Sequence, residues 1–308
     1  MTILTPHIAA QLFDTPLMVA PDKIVAMLTG LGGRVVEGGV VLLNGPAGVD
    51  HTPFAQGRPS MGVIGDGMGA AMDARRVRGY GVVSDVAVIA AEGSLVQKGA
   101  YIGKSSGQTS YQGLQVQLAR AWRDRKGLKG AVVEVDSYGG QVSGAFETAE
   151  MLAELSRAMP TMAILTDAAA SAAYLLASQC RQIVMPDSGV AGSIGAISLH
   201  ADWSGHLEKE GVKVTLIAAG EHKADGNPFE PLGEEVHNTL CARNEAVRQK
   251  FATVVAKGRG GRMSRAKALA TEARAYYGAD ALEAGLVDAI APAQAAFSAF
   301  VKAVNPAV

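Results

Sequence analysis

Cysteine, long apolar runs and targeting signals are scarce in this chain. Its only two cysteines, Cys180 and Cys241, could form one disulfide, but two in 308 residues are typical of buried thiols in a reducing compartment. No segment approaches the roughly 18 consecutive apolar residues of a membrane span. Residues 1–14 contain no basic stretch followed by a long apolar run. We therefore expect a soluble cytoplasmic protein with no membrane partner.

An excess of basic charge is also lacking. The 28 Lys and Arg residues nearly balance 29 Asp and Glu residues, and the formal net charge is −1. Domains that bind the nucleic-acid backbone usually carry a basic excess, so we expect no nucleic-acid partner, although this balance permits a locally basic groove. Metal-binding patterns such as H-E-x-x-H and paired C-x-x-C are absent, and we expect neither a metal nor another cofactor.

The chain does have the hydrophobic content for a substantial core, at 48% of its residues. Residues 1–44 are predicted to form a short N-terminal extension. Residues 45–79 are rich in glycine and proline, and this composition predicts a linker or surface loop. The main domain is predicted to span residues 80–295, followed by a C-terminal tail at 296–308.

Short apolar runs alternate with amphipathic segments from Tyr80 onwards. Runs rich in β-branched residues predict buried strands, and apolar residues at helical spacing predict helices. Strands alternating with helices indicate parallel pairing through βα crossovers, and so an α/β fold. The predicted strands are 86–90, 131–135, 162–165, 183–185 and 212–217, and the predicted helices are 111–125, 146–155, one from about 171, 234–257 and 264–274.

Three segments place polar or glycine residues after predicted strands. The first, Asp136-Ser-Tyr-Gly-Gly140, directly follows the strand at 131–135. Paired glycines let a backbone approach a ligand and present its N–H groups. Such groups could stabilise the oxyanion of an acyl-transfer intermediate, at roughly 3–4 kcal/mol for each well-placed donor. Taken alone, the pair is explained as simply by an ordinary βα turn.

The second segment places Ser171 among small residues at a predicted helix start. A serine at this position can cap the helix through its hydroxyl. The position also suits a nucleophile, because small neighbours admit a substrate and the amide of Ala172 could donate to an oxyanion. Local sequence favours the cap and leaves the nucleophile open.

The third segment, residues 220–229, is rich in Gly, Asn and Pro and contains Lys223. A lysine acts as a base only where desolvation lowers its pKa from about 10.4 towards neutrality, and a solvated surface position is the simpler assignment. Of six histidines only His222 lies beside a candidate site, and no G-x-S-x-G elbow surrounds Ser171. Gly192-Ser-Ile-Gly195 lacks the Lys-Ser/Thr ending of a phosphate loop and is predicted to line a pocket or close a turn.

The order and spacing of these motifs resemble the signal peptide peptidase A (SppA) family of serine–lysine peptidases. Within that family the chain resembles the capsid-assembly (head maturation) proteases of tailed phages, the lambda protein C kind, through residues 222–229 and 13–17. Two departures are Tyr138, where the family usually has proline, and Ala172 and Ala173, where many relatives have glycine. The resemblance covers about residues 80–290 and rests on residues 88–96, 136–140, 170–174, 192–195, 221–228 and 273–288.

The resemblance implies a crotonase/ClpP-like spiral of βα units that assembles into a homo-oligomeric ring. It implies a Ser–Lys dyad in which Ser171 is the nucleophile and Lys223 the general base. Backbone amides of Gly140 and Ala172 would bind the oxyanion, while Gly139 and Ser193 would line the substrate groove. None of these residues is missing from the sequence.

The predicted function is that of a serine endopeptidase that processes scaffold, portal or capsid-assembly proteins in the host cytoplasm, within a procapsid. Any scaffold is expected to be a separate protein, because the chain stops soon after the family's closing motif. Two alternatives stay open: a non-enzymatic capsid assembly factor, and a crotonase-type acyl-CoA enzyme of the same fold.

Overall fold

The structure is a computed structural model that describes residues 16–19, 78–98 and 107–306. Of the predicted N-terminal extension it describes residues 16–19. The predicted linker at 45–79 lies outside the described residues except for its last two positions. The predicted main domain is described almost throughout.

Twelve strands and eight α-helices are formed by the described residues. The strands are β1 (Leu17–Val19), β2 (Gly81–Val83), β3 (Val86–Glu92), β4 (Ser94–Val96), β5 (Gln108–Ser110), β6 (Gly130–Ser137), β7 (Gly139–Gln141), β8 (Thr161–Ala170), β9 (Gln182–Met185), β10 (Val190–Gly192), β11 (Ala275–Tyr277) and β12 (Ala289–Ile290). The helices are α1 (Tyr111–Asp124), α2 (Ala145–Ala158), α3 (Ala172–Ala177), α4 (Ser204–Lys209), α5 (Glu234–Arg259), α6 (Arg265–Ala270), α7 (Gly278–Glu283) and α8 (Ala293–Val304).

The larger sheet has the order β11-β10-β8-β6-β3-β2, with β9 and β12 attached beside β8. Its central strands β3, β6 and β8 pair in parallel. The ten-residue β8 changes partner along its length: residues Met162–Ile164 pair with β9, and Ala168–Ala170 pair with β10. This parallel sheet, crossed over by α1 and α2, confirms the predicted α/β class.

Both faces of the sheet are covered, which explains the continuous apolar runs of its strands. Successive side chains of a strand point to opposite faces, so Val133 packs into the core beneath α1 and α2 while Val132 packs against α8. Phe300 of α8 is 5% exposed in that second cluster. The boundary predicted at residue 295 divides α8, and the domain therefore continues through this helix.

Two predicted elements differ in the structure. Residues 212–217 form no strand and pair with none of the described strands, and Val212 and Ile217 are 50% and 96% exposed. The helix predicted at 264–274 ends at Ala270 because Glu272 and Ala273 adopt positive φ values of 46° and 57°. Within the described ranges, no helix is both long enough and apolar enough to cross a membrane.

A buried ion pair fastens the end of α5 to the C-terminal part of the sheet. Arg259 is fully buried and donates to the two carboxylate oxygens of Asp288 at 2.7 and 2.8 Å. Asp288 also accepts the Ile183 backbone N–H at 2.8 Å. Burial favours protonation of this carboxyl, but the hydrogen bond and charge of Arg259 outweigh burial, and the pKa of Asp288 lies below its ordinary value.

Replacing Asp288 with alanine will leave the Arg259 guanidinium buried without its counter-ion. We expect the free energy of unfolding to fall by about 3–5 kcal/mol, measured by chemical denaturation. Because the folded-state pKa is depressed, this stabilisation is present above the unfolded pKa of about 3.9 and is lost as the pH falls through the folded value. Glu150→Ala is the control, since its pair with Lys257 is exposed and contributes less than about 1 kcal/mol. Equal losses in the two variants would contradict this account.

Candidate active site

Ser171 lies at the junction between the end of β8 and the start of α3. Its backbone has φ 56° and ψ −124°, a conformation that non-glycine residues rarely adopt. The Ser171 N–H donates to the Gly192 carbonyl of β10 at 2.8 Å, which continues the pairing of the two strands to this residue. Ser171 is 1% exposed. Such strain at a strand-to-helix junction is found at functional sites more often than elsewhere.

Ser171 does not cap α3. Its hydroxyl accepts no hydrogen bond from the first turn of that helix. Ser110 and Ser264, in contrast, are true N-caps with extended backbone conformations. Their hydroxyls accept the backbone N–H groups of Gly113 and Lys267 at 3.0 and 3.1 Å. Among the described residues, no hydrogen bond occupies the Ser171 Oγ, so the cap favoured by local sequence is wrong.

Gly139 and Gly140 form the first two residues of β7, which lies between β1 and β4 in a smaller sheet of order β1-β7-β4-β5. Gly139 has φ 99°, and a Cβ placed on it would lie 2.0 Å from the Met18 carbonyl oxygen and 3.0 Å from the Ala172 nitrogen. A Cβ on Gly140 would lie 1.9 Å from the Leu95 carbonyl oxygen. Only glycine fits at both positions, and β7 thereby comes close to the first amide of α3.

Ser137 fixes the turn between β6 and β7, a role that its sequence context does not indicate. Its hydroxyl donates to the Gly93 carbonyl at 2.6 Å and accepts the Gly139 N–H at 3.1 Å. At the other end of β7, the hydroxyl of buried Tyr111 donates to the Gln141 carbonyl at 2.9 Å, and burial raises the pKa of Tyr111. The only sequence signal for Ser137 was its place in the motif at 136–140.

Ser193 lies on the other side of Ser171. It has φ 54°, is 6% exposed, and follows the residue whose carbonyl accepts the Ser171 N–H. The Ser193 N–H donates to the Arg274 carbonyl at 2.8 Å. The structure thus brings the segments of Ser171–Ala172, Gly139–Gly140 and Ser193 together at the carboxyl ends of β6, β8 and β10, where ligands bind in parallel sheets.

Lys223 is not joined to this group in the structure. It lies in an exposed turn, where its N–H donates to the Gly220 carbonyl at 3.1 Å. The neighbouring His222 pairs with Asp225 at 3.0 Å. Within the ranges described, no hydrogen bond or ion pair links the Lys223 ammonium to Ser171. In the same ranges, no three His, Cys, Asp or Glu side chains group into a potential metal site.

Replacing Gly139 with alanine will push β7 away from β1 and α3. We expect the proteolysis predicted from the sequence to fall about 10²-fold, the cost of misplacing the oxyanion donor predicted at the adjacent Gly140. Gly107→Ala is the matched control, because Gly107 also has positive φ (76°) but a Cβ there meets nothing within 4 Å. Initial rates on a fluorescently labelled unfolded protein measure the effect, with unfolding curves for both variants. Equal rates in the two variants would exclude this position from the site.

Comparison with known proteins finds a family match. Residues 153–305, just under half of the chain, match the model described as Peptidase family S49. The match confirms the resemblance to SppA peptidases, and the crotonase/ClpP-like α/β fold that the resemblance implies agrees with the observed parallel sheet.

Two phage proteins are among the relatives. The capsid assembly protease C of Escherichia phage lambda is 34% identical over 92% of this chain and 62% of its own length. The head-tail preconnector protein GP5 of Enterobacteria phage P21 is 36% identical over 97% of this chain and 58% of its own length. The chain therefore spans about three fifths of the length of these relatives.

Among solved structures, a mutant of the 1510-N membrane-bound stomatin-specific protease overlaps 67% of this chain and 79% of its own chain, at 14% identity and a TM-score of 0.39. This similarity is too low to bear on activity.

Proposed function

We propose that this chain is a serine endopeptidase with Ser171 as nucleophile. The observation that carries the proposal is the strained Ser171 backbone at the end of β8, combined with a hydroxyl that caps nothing. A serine with only a structural role has no use for a strained backbone. A nucleophile in this position can attack a substrate carbonyl that lies beside the first amide of a helix. The match of residues 153–305 to Peptidase family S49 supports a peptidase and covers the segment that contains Ser171.

In the proposed reaction Lys223 acts as the general base. The neutral amine takes the proton of Ser171 as Oγ bonds to the peptide carbonyl carbon, and the amides of Gly140 and Ala172 stabilise the resulting oxyanion. The proton then passes to the leaving nitrogen as the C–N bond breaks. Water, deprotonated by the same lysine, releases the acyl-enzyme. Gly139 and Ser193 line the groove for the substrate backbone.

Lys223 is exposed in the single chain, and we propose that assembly into a homo-oligomeric ring brings it to Ser171. The segment before it, residues 212–217, pairs with no strand among the described residues, and its Val214 and Leu216 are 39% and 42% exposed. Exposed apolar side chains on backbone without a strand partner are a ready contact surface for another chain. A neighbouring copy packed there would also shield Lys223 from water. Such desolvation lowers the pKa of a lysine, and a lysine needs this lower pKa to act as a base.

The substrates are proposed from the two phage relatives. One is named a capsid assembly protease and the other a head-tail preconnector protein. We propose scaffold, portal or capsid-assembly proteins as substrates, cut inside a procapsid in the host cytoplasm. Residues 1–44 and 45–79 stand as the proposed extension and linker. The proposed peptidase domain runs from residue 80 through the end of α8 at Val304, rather than to residue 295, and the tail follows it.

The second candidate is a structural assembly factor that has kept the peptidase fold. The observation that favours it is that, among the described residues, no hydrogen bond or ion pair joins Ser171 and Lys223. Co-expression with candidate scaffold and portal proteins separates the two functions. Discrete fragments that disappear with Ser171→Ala support the peptidase. Identical intact masses with wild type and variant, in folded and assembled protein, support the structural factor.

A further inference from the structure

Strand β1, far from the catalytic segments in sequence, lies in the middle of the candidate site. Residues Leu17–Val19 run antiparallel to β7, with Met18 opposite Gly140 and Val19 opposite Gly139. On its other side, Leu17 exchanges both backbone hydrogen bonds with Ile197, at 2.8 and 2.9 Å. Three residues of the chain thus fill a channel between the glycine strand and the segment that follows Ser193.

The backbone of β1 faces the groups proposed to act on a substrate. An extended chain turns alternate residues to opposite neighbours, so with Leu17 bonded to Ile197 the backbone groups of Met18 face β7. The Met18 carbonyl oxygen lies beside Gly139, on the side where Gly139 meets the Ala172 nitrogen. The Gly140 amide therefore faces Met18, and a substrate carbonyl could reach that donor only in place of β1.

This channel has the shape of a site for an extended peptide. A strand that enters it satisfies the backbone groups of β7 on one side and of Ile197 on the other, which is strand addition with affinity from the main chain. Ser171 is 1% exposed and Met18 is fully buried with β1 in place. A peptide bond therefore meets the Ser171 hydroxyl only when part of this packing opens.

We propose that β1 is an intramolecular occupant of the substrate groove, which must leave before an extended peptide can bind. The inference rests on the proposed peptidase function. A tethered segment competes at a high effective concentration, so the single chain is held inactive until the strand is displaced. Substrates are expected to bind in the same way as β1. They would be extended, run antiparallel to β7, and carry apolar side chains at the positions of Leu17, Met18 and Val19.

A reversible tether tests whether β1 has to move. The Cα atoms of an antiparallel pair that exchanges both hydrogen bonds are about 5.5 Å apart, within disulfide range. Leu17→Cys with Ile197→Cys, in a Cys241→Ser background, will lock β1 in place when oxidised. We expect cleavage of a labelled unfolded protein to be at least tenfold slower in the oxidised form, and the rate to return on reduction. Leu17→Cys alone, oxidised in the same way, is the control.

Each outcome of the tether decides the inference. A rate that is equal in the oxidised and reduced forms, with both thiols shown to be consumed, would mean that β1 is a permanent part of the groove wall. Absence of activity in the reduced form and in wild type would overturn the proposed peptidase and this inference with it. The inference is supported only if oxidation lowers the cleavage rate and a reductant restores it.

A second variant covers the case in which the disulfide fails to form. Leu17→Pro removes the N–H that donates to the Ile197 carbonyl at 2.8 Å, which loosens β1 without touching β7. An occupant strand predicts a rise of about twofold to tenfold in initial rate, because a weaker competitor leaves more often. A lower or unchanged rate in folded protein would contradict the inference.

Discussion

Replacing Ser171 with alanine will abolish proteolysis and leave the stability of the protein nearly unchanged. Removing a catalytic nucleophile costs at least about 10³-fold in rate, because the acyl-enzyme can no longer form. The Ser171 hydroxyl accepts no hydrogen bond from α3, so its loss removes no cap. Initial rates and chemical denaturation of the same preparation measure the two effects separately.

The matched control is Ser110→Ala. The Ser110 hydroxyl accepts the Gly113 N–H at 3.0 Å and caps α1. We expect this variant to lose about 1 kcal/mol of stability while it keeps its proteolytic rate. A Ser171→Ala protein that is destabilised but still active would contradict this account. It would show that Ser171 acts as a helix cap.

Replacing Lys223 with methionine will lower the rate by about 10²–10⁴-fold, the contribution of a general base. Methionine keeps the length and apolar stem of the side chain and removes the amine. Lys223→Arg should be equally inactive, because a guanidinium stays protonated at all working pH values. Lys209→Met is the control, since Lys209 ends the neighbouring helix α4 and is exposed as well.

Ser171→Ala and Lys223→Met together test whether the dyad forms between two copies of the chain. If Lys223 of one copy serves Ser171 of another, mixing Ser171→Ala with Lys223→Met protein and allowing subunits to exchange will restore part of the activity. Full activity of Lys223→Met in folded protein would exclude this lysine as the base. A mixture that stays inactive despite exchange would place the dyad within one copy.

Much of the α/β sheet could be predicted because its signals are local. The apolar runs at 86–90 and 131–135 become β3 and β6, and the helical spacing of Leu114 and Leu118 becomes the buried face of α1. Residues 212–217 are also rich in β-branched and apolar side chains, yet no strand is formed there, because a strand also needs a hydrogen-bonding neighbour. That neighbour is not encoded in the segment itself.

The candidate site was only partly predictable for the same reason. Gly139, Gly140 and Ser193 were found as motifs. Their local pattern fitted an ordinary turn as well as a functional site, and the resemblance decided for the functional role. The pairing of Met18 with Gly140 depends on contacts between segments more than a hundred residues apart, which no periodicity reports. The positive φ of Ser171 is equally invisible, because serine shows no preference for that conformation and the surrounding strands impose it.

The most direct test of the central claim is covalent modification by a fluorophosphonate, followed by mass mapping of the modified peptide. Such reagents react with activated serines irrespective of the natural substrate. We expect one adduct per chain, located on Ser171, absent from Ser171→Ala and strongly reduced in Lys223→Met. An assembled and folded protein that carries no adduct, or an adduct on another serine, would contradict the assignment of Ser171 as an activated nucleophile.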